Sequence, residues 1–413
     1  MTRIIRFGFL KDQMWVSVIS LGVILFFIFL GDAVLSYWTP NFLEDTLGSS
    51  FLMGIIMSFS SLVGLGSDLI LPQIIRGITV NKLLVLSILA SFLFSVFLIN
   101  ATYFPLVLII LAAMAIWGIY YELLGFGQQQ FVADSIPLKF RSATWGILGI
   151  FRSIAYFLGP ILGGALLARG LRVPIYASIA FVFISVIVLM SAKKKHAREI
   201  QIDTHEVSIF REFAHWKVLF VHVWPVVIVS LCIGLIDAVF WTVGAVWTEE
   251  LADKSFLGSF ILPSYMLPSI FVGFLVAKWQ VFSGKKKLAE KLLLLSGVFL
   301  ILLIFTDKVF IFLVLIFFSS VLLSIVYPLT DGVYSDIVAR MGRERRHLIG
   351  LSQSTASLAY IAGPIVGGFL AGKIGEKETF VAIGLTITLV SFLLLKFTPR
   401  KLKLPQEEIH TWE

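Results

Sequence analysis

Apolar residues run along this chain in long unbroken stretches, and polar residues gather in short segments between them. Apolar spans fall near 13–38, 51–71, 79–100, 104–131, 142–168, 173–191, 216–247, 256–279, 288–306, 308–329, 347–373 and 378–397. Most reach the roughly 20 residues that a helix rising 1.5 Å per residue needs to cross a ~30 Å hydrocarbon layer. The pattern predicts an all-α integral membrane protein with twelve transmembrane helices in two six-helix bundles. One long polar stretch separates the bundles, SAKKKHAREIQIDTHEVSIFREFAHW at 191–216. The chain thus divides into an N-terminal bundle (1–192), a cytoplasmic connector (193–214) and a C-terminal bundle with a cytoplasmic tail (215–413). Ile202, Val207, Ile209 and Phe210 give the connector the apolar face of a short helix lying on the inner membrane surface. The first span is too long for a cleavable signal. It also carries Asp32 and a Tyr-Trp-Thr-Pro exit where a small-residue cleavage site is required.

The pattern occurs twice. Arg141–Leu166 overlays Arg345–Leu370 with Tyr156/Tyr360, Gly159/Gly363, Pro160/Pro364, Gly163/Gly367 and Gly164/Gly368 identical. Asp32-Ala33-Val34 overlays Asp237-Ala238-Val239 in nearly the same register, and Glu44/Glu249 and Ser50-Phe51-Leu52/Ser255-Phe256-Leu257 continue it. Charged residues are among the matches, so apolar composition alone does not produce them. Small residues beside a proline let helix backbones approach closely and bend, which suits a membrane interior. A parallel repeat of two halves is the plan of one large class of transporters.

Composition agrees, with 58% hydrophobic and only 14% charged residues, against roughly a quarter charged in soluble domains. The single cysteine, Cys232, excludes an intrachain disulfide. Lys and Arg concentrate on the side that holds both termini. They include Arg3, Arg6, Lys11, Arg76, Lys82, Lys139, Arg141, Lys193–Lys195, Lys285–Lys287, Arg340, Arg343, Arg345, Arg346, Arg400, Lys401 and Lys403. This bias places both termini in the cytoplasm and the chain in the cell inner (plasma) membrane. It also accounts for the net charge of +8. The positive residues are scattered over several short segments, which argues for anionic lipid headgroups and against nucleic acid. The sequence has no P-loop, HExxH, CxxC or nucleophile elbow, so bound-ATP energy, metal-assisted hydrolysis, a cofactor and enzymatic chemistry have no support.

Twelve spans, a 6+6 repeat, a central connector and the run from Gly149 to Gly164 ending in Gly-Pro-x-x-Gly-Gly resemble the major facilitator superfamily over nearly the whole chain. In that family the fifth-span motif goes with antiporters, which implies export. The loop after the second span keeps Gly64 and Asp68 of the family's signature but has Leu71-Pro72-Gln73 where glycine and basic residues stand. Its counterpart keeps Gly284-Lys285-Lys286-Lys287 without the acid, and the fourth-span Arg and Gln-Gly pattern of proton-coupled exporters is missing. The family's arrangement implies that the first and seventh helices face each other across a central cavity, bringing Asp32 and Asp237 towards one site.

Ionisable groups inside spans are expensive in lipid and mark functional candidates. Asp32 lies about 19 residues into the first span, roughly 28 Å from its inner end, and Asp237 repeats it. Two readings stand for these acids: proton carriage or capture of a cationic substrate, or a cap that ties down a helix bend through nearby backbone. Glu122 and Arg152 each lie about 11 residues, or roughly 16 Å, from the cytoplasmic side. A shared depth puts the two within range of pairing and leaves the pair itself open; the readings are a substrate or coupling site, or a structural salt bridge. Tyr121, Tyr156, Trp241 and Tyr360, with Trp117, Tyr120, Tyr265 and Tyr327, are candidates to line a cavity or to pack against neighbours or lipid. Asp68, Asp134 and Asp336 are assigned to gates, the last two beside Lys139/Arg141 and Arg343/Arg345. Gly159, Pro160, Gly363 and Pro364 are assigned to helix packing.

The sequence thus predicts a monomeric secondary-active transporter that works by alternating access and exports an amphipathic or cationic organic compound in exchange for protons. Uptake of a small polar solute, a sugar or an organic acid anchored by Arg152, is the alternative within transport. A non-transporting membrane sensor or assembly partner is the alternative outside it.

Overall fold

The computed structural model describes residues 13–74, 78–191, 209–279, 284–338, 340–341, 345–399 and 404. These form α1 (Gln13–Leu47), α2 (Ser50–Ile74), α3 (Val80–Tyr103), α4 (Val107–Ser135), α5 (Leu138–Leu167) and α6 (Val173–Ser191). They continue with α7 (Ile209–Lys254), α8 (Ile261–Trp279), α9 (Lys285–Ile301), α10 (Val309–Val338), α11 (Arg345–Ile374) and α12 (Glu376–Phe397), with two short 3₁₀ turns. Eleven are long and apolar enough to cross a membrane. A shorter apolar stretch, Phe256–Val272, covers the turn before α8 and the first part of α8. In hydrocarbon a helix satisfies every backbone group internally, so runs of this composition fold this way with few capping devices.

Three helices run well past their expected ends, among them α10, which reaches Val338 where 329 was expected. The first span continues through Pro40 to Leu47, and Asn41 donates its side-chain N–H to the Tyr37 carbonyl (2.8 Å). The seventh begins at Ile209 and contains Pro225, so the last part of the expected connector is helix. The remainder of the connector, with Ile202 and Val207, lies outside the described residues.

The chain divides into two compact units. One takes the described residues up to Phe42 and from Leu62 to 191, and the other takes Leu43–Ser61 and everything described from 209 on. In the first, α3 packs along α4 and α6, and α5 along α6 and α4. In the second, α7 packs on α11, α9 on α10 and α12, and α8 on α10. Leu43–Ser61 belongs to the second unit because α2 there packs on α11: a Cβ at Gly54 would lie 2.8 Å from the Pro364 carbonyl carbon, and the Ser58 hydroxyl donates to the Gly54 and Ile361 carbonyls (2.8 and 2.7 Å).

The repeated sequence makes the same close contact in each unit. A Cβ at Gly159 of α5 would collide with the Ala33 side chain of α1 and lie 2.8 Å from its carbonyl carbon. A Cβ at Gly363 of α11 would lie 2.5 Å from the Ala238 Cβ of α7. Here the missing side chain is what lets two helix axes approach.

The Lys285–Lys287 run joins three helices in the second unit. Lys285 bridges to Asp336 of α10 (2.7 Å). Lys286 (2.9 Å) and Lys287 (3.1 Å) both hold Glu290, which is fully buried. The same two lysines donate to Thr398 Oγ1 and to the Leu394, Leu395 and Pro399 carbonyls at the end of α12. Cations thereby meet the orphan carbonyls and negative dipole end of that helix.

Overpacking typically costs about 1–3 kcal/mol, so Gly159→Ala and Gly363→Ala are each expected to lower the melting temperature of the purified chain in detergent. Adding Ala33→Gly to Gly159→Ala is expected to restore part of the loss. Glu290→Ala, which strands two ammonium groups, is expected to cost about 3–5 kcal/mol, read in the same melt.

Candidate functional site

In the first unit, three helices converge on one carboxylate. Asp32 of α1 is buried, 2% exposed. Trp117 Nε1 donates to its Oδ1 (2.8 Å), while the Tyr121 and Tyr156 hydroxyls donate to its Oδ2 (2.8 and 2.5 Å). Trp117 and Tyr121 are four residues apart on α4 and so share a face. The Trp117 ring stacks on Phe94 at 4.9 Å, which holds its N–H in place. Tyr156 comes from α5, one turn from Gly159, and the close approach of Gly159 to Ala33 brings its hydroxyl within reach of the residue before Ala33. Tyr121 and Tyr156 also face each other, oxygen to oxygen at 3.4 Å. A carboxylate offers about four acceptor sites, and three are filled by neutral donors.

Arg152 lies one turn before Tyr156 on α5. Its guanidinium carbon sits 5.5 Å from the centroids of both the Phe29 and the Tyr156 rings, within the electrostatic reach of Asp32. Glu122 has a different neighbour: its carboxyl lies within hydrogen-bonding reach of Asp68 on α2, and the bare Gly64 faces it, with a Cβ there only 3.2 Å from Oε1. Equal depth along two helices left open whether Glu122 and Arg152 pair. In the structure they point to different partners, because depth leaves the rotation of each helix about its axis unspecified.

The second unit holds a carboxylate in the same manner. The Tyr265 hydroxyl of α8 donates to Asp237 Oδ1 (2.7 Å), and the Tyr360 hydroxyl of α11 donates to Oδ2. Tyr265 is fixed by face-to-face stacking on Phe240, with ring centroids 3.9 Å apart, and Tyr327 of α10 lies within its electrostatic range. Trp241 sits one turn beyond Asp237 on α7, partly buried. Asp336 has Lys285 as its described partner. The side chains of Asp134, Lys139, Arg343 and Arg345 lie outside the described residues. Trp117 and Tyr265 appeared in the sequence only among general cavity aromatics. The signal that could have singled out Trp117 is its spacing of four from Tyr121, whereas Tyr265 has no counterpart in the repeat. Among the described residues no group of three or more His, Cys, Asp or Glu is placed to hold a metal.

Comparisons with known proteins agree with this architecture. The model of the Major Facilitator Superfamily matches residues 123–289 and 230–412. The quinolone resistance protein NorA of Staphylococcus aureus (strain MSSA476) is 23% identical over 270 residues, 64% of this chain and 67% of the relative. The protein of the same name from strain COL is 23% identical over 271 residues, with the same coverage. Among solved structures, the human organic anion transporter MFSD10 (TETRAN) aligns over 93% of this chain and 100% of its own, with a TM-score of 0.66 and 16% identity. A mutant of the peptide transporter POT aligns over 93% and 94%, with a TM-score of 0.73 and 13% identity. At such identities the structural likeness speaks for the fold alone. The family match covers well over half of the sequence, and the chain belongs to the Major Facilitator Superfamily, as a multi-pass membrane transporter of small molecules and not an enzyme.

Proposed function

We propose that the chain is a secondary-active exporter working by alternating access, which exchanges protons for an amphipathic or cationic organic compound. The observation that carries this reading is the Asp32 carboxylate, buried and ringed by Trp117, Tyr121 and Tyr156 with Phe29 adjoining. A negative charge among aromatic faces favours an organic cation, both by charge and by cation–π attraction, and an acid retained in lipid is costly unless it is used. The name of the staphylococcal relatives, quinolone resistance protein, supports drug export. In this reading α8 completes twelve crossings in two six-helix bundles. Both termini face the cytoplasm, the chain works as a monomer in the cell inner membrane, and the proton is the coupling ion.

Arg152 favours a second reading, uptake of a small polar solute such as an organic acid, because its guanidinium stands against Phe29 and Tyr156 with its side chain exposed.

Proteoliposomes loaded with ethidium and given an inward proton gradient separate the two. The wild-type chain is expected to move ethidium only while the gradient stands, and Asp32→Asn is expected to slow it about tenfold or more, the equivalent of about 1.4 kcal/mol. Arg152→Ala is expected to leave substantial ethidium efflux. Uptake of organic anions by the wild type that Arg152→Ala abolishes, with no ethidium movement, would replace the exporter reading with the second.

A further inference from the structure

Each unit holds an acid, buried at Asp32 and partly buried at Asp237, through a tyrosine that the internal repeat supplies. Asp32 bonds Tyr156, 124 residues on, and Asp237 bonds Tyr360, 123 residues on. The repeat has therefore preserved a hydrogen bond as well as residues, and the question is what a duplicated carboxyl–phenol bond does. A phenolic hydroxyl both donates and accepts, whereas an ammonium, a guanidinium or an indole N–H only donates. A carboxyl group held by hydroxyls can gain a proton and keep its hydrogen bonds, because the hydroxyl turns from donor to acceptor.

The Asp32 site has the parts for that reversal. Trp117 fixes Oδ1 and stays where it is. A proton arriving on Oδ2 forms one O–H bond, and this new O–H donates to Tyr156 Oη. The Tyr156 hydroxyl hydrogen swings to Tyr121 Oη, 3.4 Å away, and the Tyr121 hydroxyl continues to donate to Oδ2. No covalent bond other than the carboxyl O–H is made or broken, and no donor is stranded. Asp237 has a tyrosine on each oxygen, so either one can reverse. Glu290 is the contrast within the same chain. Its ion-pair partners are the ammonium groups of Lys286 and Lys287, which only donate, beside a single hydroxyl, Thr398 Oγ1, at 3.1 Å.

We infer that each half of the chain carries its own proton-exchange site, the carboxyl of Asp32 in one and of Asp237 in the other, so that two protons are exchanged per transport cycle. Other charged or titratable groups near Asp32 are Tyr120 on α4 and Arg152 on α5, and Tyr327 on α10 lies near the Asp237 site. The inference rests on the proton-coupled exporter reading and adds the number and location of the coupling groups.

The test is the ethidium gradient at which net flux stops in proteoliposomes of the full chain, with the membrane potential clamped at zero. Against a tenfold proton gradient, exchange of two protons stops at an ethidium gradient of about a hundredfold, and exchange of one at about tenfold. The wild type is expected to stop near a hundredfold. Asp237→Asn and Tyr156→Phe are each expected to stop near tenfold while still moving ethidium. A wild type that stops near tenfold overturns the inference and leaves the exporter reading intact. So does an Asp237→Asn variant that still stops near a hundredfold. If pH drives no ethidium movement in the wild type at all, the exporter reading fails and this inference falls with it.

Discussion

A carboxylate taken out of water costs several kcal/mol even after the protein relaxes, and the core of the first unit is arranged to meet that cost at Asp32. The hydration shell is replaced by an indole N–H and two phenolic hydroxyls from α4 and α5. Each donor depends on something further out. Trp117 is held by Phe94 beneath it, Tyr121 by its place one turn along from Trp117, and Tyr156 by the contact of Gly159 with Ala33. A larger residue at 159 would push α5 off α1 and pull a hydroxyl from the acid, so packing and site are one structure. The same relation recurs around Gly363, Ala238, Tyr360 and Asp237.

Charges within this chain are held in two chemically different ways. Glu290 of α9 meets two ammonium groups of its own helix and the Thr398 hydroxyl, an arrangement that ties α9 to the end of α12. Asp32 and Asp237 meet phenolic hydroxyls, with one indole N–H at Asp32, and a hydroxyl is as satisfied by a neutral acid as by an anion. A transporter needs both kinds, fixed charges to hold each unit rigid and adjustable ones to register what is bound.

Much of this was legible in the sequence. The repeat picked out Asp32 with Asp237 and Tyr156 with Tyr360, and long apolar runs gave the helices, because both signals are one-dimensional. The partnership of each acid with its tyrosine, Trp117 as a third donor, and the orientation of Glu122 towards Asp68 with Arg152 beside Tyr156 were not legible. A helical rise gives depth, but the direction a side chain faces is set by neighbours far away in sequence. The ends of α1 and α7 were misjudged for a related reason. Pro40 reads as a stop in water, yet a membrane helix carries it and runs on to Leu47.

Infrared difference spectroscopy of the purified chain between alkaline and acid pH tests the duplicated acid most directly, since protonated carboxyl groups appear through their C=O stretch. Two bands are expected to be assignable by substitution, one absent in Asp32→Asn and the other absent in Asp237→Asn, with Glu290→Gln removing neither. A spectrum in which neither aspartate substitution removes a band would contradict the claim that these two carboxyls take up protons.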